Sequence, residues 1–192
     1  MPGVLTRLRD VVPIRPLSPT EALRVAELQA NRLLEYSSVT NPPVPEEIIT
    51  KLPRIRVERV KPVPVSAATE WSDGHWYIVV NAAEPPTRQR FSIAHEFKHI
   101  LDNPFISILY PDRRGLPSAR RGERACDFFA ASLLMPRQWT RDAWRRGPQD
   151  VRLLASRFQV SSVALQIRLA QVGLSDQGPR SKGARSDLEG TA

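Results

Sequence analysis

Residues 90–101 read Arg90-Phe91-Ser92-Ile93-Ala94-His95-Glu96-Phe97-Lys98-His99-Ile100-Leu101. The chain has three histidines, and two of them fall in this stretch as an H-E-x-x-H string. Residues four apart on an α-helix lie one above the other on the same face, so His95 and His99 can grip one ion together. Glu96 is turned by about 100° from His95 and about 60° from His99, close to such an ion without filling a ligand position. Ile93, Ala94, Phe97, Ile100 and Leu101 form an apolar stripe, Ser92 shares the histidine side, and Lys98 falls on its far flank. The string therefore predicts a helix with one packing face and one chemical face, the arrangement of a zinc hydrolase. Taken alone, it also fits a helix with two exposed histidines and a solvated glutamate.

A catalytic zinc takes three protein ligands plus water, so a third donor is expected from a later element. Residues 123–136 read Glu123-Arg124-Ala125-Cys126-Asp127-Phe128-Phe129-Ala130-Ala131-Ser132-Leu133-Leu134-Met135-Pro136. On a helix, Glu123, Asp127, Ala130 and Leu134 share one face. Glu123 can complete the metal shell, and Asp127, one turn on, can accept the free ring N–H of a ligating histidine. Ala130 is small enough to let the two helices approach closely. Cys126 is a soft donor by type, but a buried core position suits a free cysteine better. His75 and Tyr110 are the remaining candidates, as donors to the developing oxyanion of a transition state.

The segment His95 to His99, with Glu123 and the run to Leu134-Met135-Pro136, resembles the ImmA/IrrE family of metallopeptidases. In that family an H-E-x-x-H helix is followed by an E-x-x-A-N-x-F-A-A-x-L-L-M-P segment. The resemblance covers residues 90–136 firmly and the flanking hairpin and C-terminal helices more weakly. It implies that Glu123 is the third zinc ligand and Glu96 the catalytic base. Cys126 and Asp127 stand where Ala and Asn are common, and Lys98 where Gly is common. None of these changes removes a ligand, and Lys98 is expected to bear at most on substrate preference.

The rest of the chain frames this centre. Ser18-Pro19-Thr20-Glu21 combines a cap, a first-turn proline and a capping-box glutamate, and predicts a helix to Tyr36. A short helix is expected over 45–51. Residues 55–60 alternate as a half-buried strand, and strands at about 65–72 and 75–81 flank Asp73-Gly74, a two-residue hairpin signal. That register sets Trp71 against Trp76. Helices follow at about 87–102, 120–134, 136–144, 150–158 and 161–172, with a loop over 103–117. The expected class is α+β: a small antiparallel sheet of about three strands packed on a zincin-like helical core, with a C-terminal helical pair. Residues 1–17 read as an extended segment, 18–148 as the metallopeptidase domain, 149–174 as the helical pair and 175–192 as a disordered tail.

Composition narrows the function classes. A hydrophobic content of 41% supports a packed core, and a single cysteine excludes an internal disulfide. No run of about 18 apolar residues marks a membrane span, and the opening residues lack the apolar stretch of a secretory signal, so a cytoplasmic location is expected. The net charge of +8 favours acidic partners, but few arginines accompany aromatic residues as a nucleic-acid platform requires. The pair at 149–174 looks like a helix-turn-helix, with Arg152, Arg157 and Arg168 available for phosphates. Packing against the domain is the favoured reading of it, and direct DNA binding the less favoured one. The leading function is a Zn(2+)-dependent endopeptidase acting on a protein partner. The resemblance implies that this partner is a helix-turn-helix repressor, which links the chain to transcription regulation. The rival is a non-enzymatic, DNA-associated regulator or toxin-antitoxin component with structural or sensory zinc.

Overall fold

The computed structural model describes residues 3–61, 64–111 and 118–174. The expected tail at 175–192 and part of the expected loop at 103–117 lie outside these. The architecture is α+β, with a three-stranded sheet against a helical body.

The first element departs from expectation. Residues 1–17 do not form a wholly extended segment, because Val4–Arg9 is a helix, α1. Gly3 leads into this helix in extended backbone and Pro13 falls after it, so no proline interrupts its turn and a half. Leu8 is completely buried, and Leu17 is 2% exposed. Arg9 donates to the carbonyls of Ile100 (2.7 Å) and Leu101 (3.2 Å), and Gln29 donates to the Leu8 carbonyl at 3.0 Å.

Helix α2, Pro19–Tyr36, begins as its sequence dictates. The Ser18 hydroxyl accepts from the Glu21 N–H, and the Glu21 carboxylate accepts from the Ser18 N–H at 2.8 Å. A short helix α3 covers Glu47–Thr50. Strands β1 (Ile55–Val60), β2 (Ala67–Ser72) and β3 (His75–Asn81) follow, in the spatial order β1-β3-β2. Asp73 and Gly74 both take positive φ, as the hairpin turn requires. Trp71 lies across from Trp76, with ring centroids 5.3 Å apart.

The sheet is mixed rather than wholly antiparallel, since β1 runs parallel to β3 while β2 is antiparallel to it. Alternation along β1 fixes which face is apolar but carries no information on the direction of its neighbour. The buried face is made by Ile55, Ile78 and Val80, each 0% exposed. Thr69 pairs directly with Ile78, so both side chains lie on the face turned toward the helices. β2 is an edge strand, with its outer edge free of partners in the sheet.

Helices α4 (Pro86–Asp102) and α6 (Ala119–Leu134) pack together at the centre, with α2 on the other side of α6. Phe97 and Phe129, both fully buried, meet there at 6.1 Å between ring centroids, and Ala130 is buried in the same core. The expected loop after α4 is partly helical: a 3-10 turn at Asn103–Phe105 leads into α5, Ile106–Leu109.

After α7 (Arg137–Arg146), helices α8 (Val151–Phe158) and α9 (Ser162–Gln171) join the same hydrophobic core through Leu154, Ala155, Phe158, Leu165 and Leu169. The helical pair is thus packed on the body. Arg168 is not free for a phosphate: it is 1% exposed and donates to the Met135 carbonyl at 2.9 Å and to Glu27 at 3.2 Å. Arg152 and Arg157 remain exposed on α8. Among the described residues, no helix is long and apolar enough to cross a membrane.

Candidate metal centre

α4 and α6 bring together residues separated by a loop in the sequence. The Nε2 atoms of His95 and His99 are 3.2 Å apart. The two oxygens of Glu123 complete the group, Oε2 at 3.2 Å from His95 Nε2 and Oε1 at 3.2 Å from His99 Nε2. Four donors at about 2.05 Å around a tetrahedral zinc stand about 3.3 Å from one another. The two Nε2 atoms, and each Nε2 with its nearer Glu123 oxygen, stand at nearly that separation, so the donor set fits one tetrahedral divalent ion.

Asp127 orients the set. Its Oδ1 lies 2.9 Å from His95 Nδ1, which places the ring hydrogen on Nδ1 and leaves the Nε2 lone pair facing Glu123 and His99. Burial by itself lowers the His95 imidazole pKa. The hydrogen bond and charge of Asp127, joined by Glu96 and Glu123, outweigh burial and raise it overall.

Cys126 offers a second arrangement, because Sγ comes within 4.8 Å of the imidazole nitrogens. Glu123 differs from it in two respects. Its oxygens are at contact distance from both nitrogens, and Cys126 is 1% exposed, with burial pushing its thiol well up. Ligation requires a thiolate, which this environment opposes.

Glu96 stays out of the donor triangle and instead accepts the Thr69 hydroxyl on Oε2 at 2.8 Å. Thr69 escapes the sequence reading because it lies 27 residues from Glu96 and meets it only once β2 docks on α4. An open cavity of about 290 Å³ lies over the group, lined by Ser66, Ala67, Arg88, Ser92, Glu96 and Asp127 among others. Arg88 and Ser92 were accessible to reasoning, being seven and three residues before His95 and so on its helical face.

The other candidates are elsewhere. His75 holds the hairpin turn, with Nδ1 2.9 Å from the Asp73 carbonyl. It is three residues along β3 from the partner of Thr69, about 10 Å at strand spacing. Tyr110 is 1% exposed and donates to Asp102 Oδ2 at 2.6 Å, and burial and the Asp102 charge push its phenol well up. Neither is brought to the imidazole pair. Lys98 is not on a surface that a substrate could read. It is completely buried and pairs with Asp102 at 2.5 Å.

The comparisons with known proteins agree with this geometry. The family model Peptidase_M78, described as the IrrE N-terminal-like domain, matches residues 53–170. The radiation response metalloprotease IrrE of Deinococcus deserti is 36% identical over 103 residues, covering 50% of this chain and 37% of that protein. Its counterpart in Deinococcus radiodurans is 34% identical over 103 residues, covering 48% of this chain and 31% of that protein. The chain thus spans about a third of the length of the curated relatives it matches. A solved structure described as a Mycobacterium tuberculosis transcriptional regulator shares the fold, with a TM-score of 0.59 and 21% identity over 95% of this chain and 55% of that one. The matched residues 53–170 contain the whole donor group, from His95 to Asp127, and the chain belongs to the Peptidase_M78 family, the IrrE N-terminal-like domains.

Proposed function

We propose that this chain is a zinc-dependent endopeptidase acting on a protein partner. His95, His99 and Glu123 hold the ion, and Glu96 is the general base. The observation that carries the reading is the convergence of His95 Nε2, His99 Nε2 and the Glu123 carboxylate, each contact 3.2 Å, beside the Glu96 carboxylate that Thr69 holds apart. Zinc, when bound, supplies Lewis acidity, polarising a carbonyl and lowering the pKa of water toward about 7. Glu96 takes the proton of the attacking water and returns it to the leaving amine. The Thr69 hydroxyl fixes one oxygen of Glu96 and so aims the other into the cavity. The free edge of β2 runs beside the cavity through Ser66 and Ala67, where an extended peptide can add as a further strand.

The partner is a helix-turn-helix repressor, cut to relieve repression, as the resemblance of residues 90–136 to the ImmA/IrrE family implies. Incubating the zinc-loaded protein with a candidate helix-turn-helix repressor tests this directly. A discrete pair of fragments is expected on a gel, lost with a chelator and restored by zinc. An intact repressor under those conditions would remove this partner.

Asp127 has a separate, graded expectation. Asp127→Ala removes the acceptor that faces His95 Nδ1, so the Nε2 lone pair is no longer enforced. Zinc affinity is expected to fall by about 10–100-fold, read by competition with a chromophoric chelator. An unchanged affinity would make Asp127 a solvated bystander.

A further inference from the structure

Beyond the cavity over the donor triangle, a groove of about 440 Å³ runs between α4, α6 and α9. Arg88, Phe91 and Asp127 line both spaces, so the two adjoin. Phe91, Phe128 and Ala131 form one side of the groove, and Val163 and Ile167 the other. Val163 and Ile167 are four apart on α9 and thus share a face, yet they are 64% and 54% exposed. Scattered exposed apolar residues are ordinary, but two together on the rim of a concave space mark a binding surface. The volume falls in the range of ligand pockets, about 300–1,000 Å³.

We propose that this groove receives a bulky aliphatic side chain of the substrate polypeptide, within about three residues of the scissile bond. Val163 and Ile167 are its specificity-determining residues. The proposal rests on the endopeptidase reading. Its place beside the donor triangle identifies the occupant. Asp127 belongs to the groove, and its Oδ1 is 2.9 Å from His95. An extended chain advances about 3.3 Å per residue, so a peptide crossing the centre delivers a side chain into the groove one to three residues from the cut. The lining selects against cationic side chains, because Arg88 and Arg124 both border it. The C-terminal pair then does more than close the core. Arg168, held by Met135 and Glu27, fixes where α9 stands relative to the metal-bearing helices.

The zinc-loaded full chain, given a peptide library randomised on both sides of the cut and read by mass spectrometry, tests this. Leu, Ile or Met is expected at one fixed position within three residues of the cleaved bond. Val163→Asp and Ile167→Glu, both at exposed positions, are expected to lower kcat/KM for such peptides by about 10–200-fold. Zinc content and melting temperature should not change, since both side chains are exposed. Cleavage without an apolar preference, or a preference that survives both substitutions, overturns the groove assignment and leaves the endopeptidase reading intact. No cleavage by the zinc-loaded wild type overturns that reading, and the groove assignment with it.

Discussion

Glu96→Gln is expected to lower cleavage by about 10²–10⁴-fold while leaving zinc content unchanged. The amide has the shape of the carboxylate and still accepts the Thr69 hydroxyl, so the side chain keeps its place. What it loses is the capacity to take a proton. The metal is retained because the donor triangle is built from His95, His99 and Glu123 alone. Rate and metal stoichiometry measured on the same preparation separate three cases. A dead, zinc-replete variant is the expected result. A variant that cleaves at the wild-type rate would mean that another group is the base, and one that loses zinc would mean that Glu96 is a ligand. The same variant also decides between enzyme and regulator in the cell. A biological effect that persisted without cleavage would favour the DNA-associated reading, in which zinc is structural or sensory.

The largest effect on stability is expected at Lys98. Its ammonium is wholly enclosed and pairs with Asp102, itself 1% exposed and also bound by the Tyr110 hydroxyl. Lys98→Ala leaves a buried carboxylate with one neutral donor. Removing one partner of a buried pair costs about 3–5 kcal/mol, because the remaining charge is uncompensated. At this chain length that corresponds to a fall in Tm of roughly 10 °C. Replacing the group together, Lys98→Met with Asp102→Leu and Tyr110→Phe, removes every orphaned polar atom and is expected to restore most of the loss. Thermal unfolding of the two variants side by side is the measurement. A single variant as stable as the wild type would show that water reaches Asp102.

Lys98 also marks the boundary of what could be read from residues alone. Its partner is four positions along the same helix, so the pair was local, but nothing local said that the pair would be enclosed. A long polar side chain has the same sequence signature whether it is solvated or sealed beneath a neighbouring helix. Arg168 follows the same logic. The spacing of α9 offered it to solvent, and the approach of α2 and the turn after α6 buried it.

What the sequence determined by itself was everything that depends on a few consecutive residues. The four-residue spacing of His95 and His99 puts them on one helical face, and Ser18 with Glu21 starts α2. Asp73-Gly74 turns the chain so that Trp71 meets Trp76. In each case the geometry follows from backbone sterics and hydrogen bonds within about a turn. Only the tertiary structure decided that β1 runs parallel to β3, that Thr69 reaches Glu96, and that α9 walls a groove beside the imidazole pair. Periodicity reports that a face is apolar, but what covers that face is settled by packing between elements far apart in the chain.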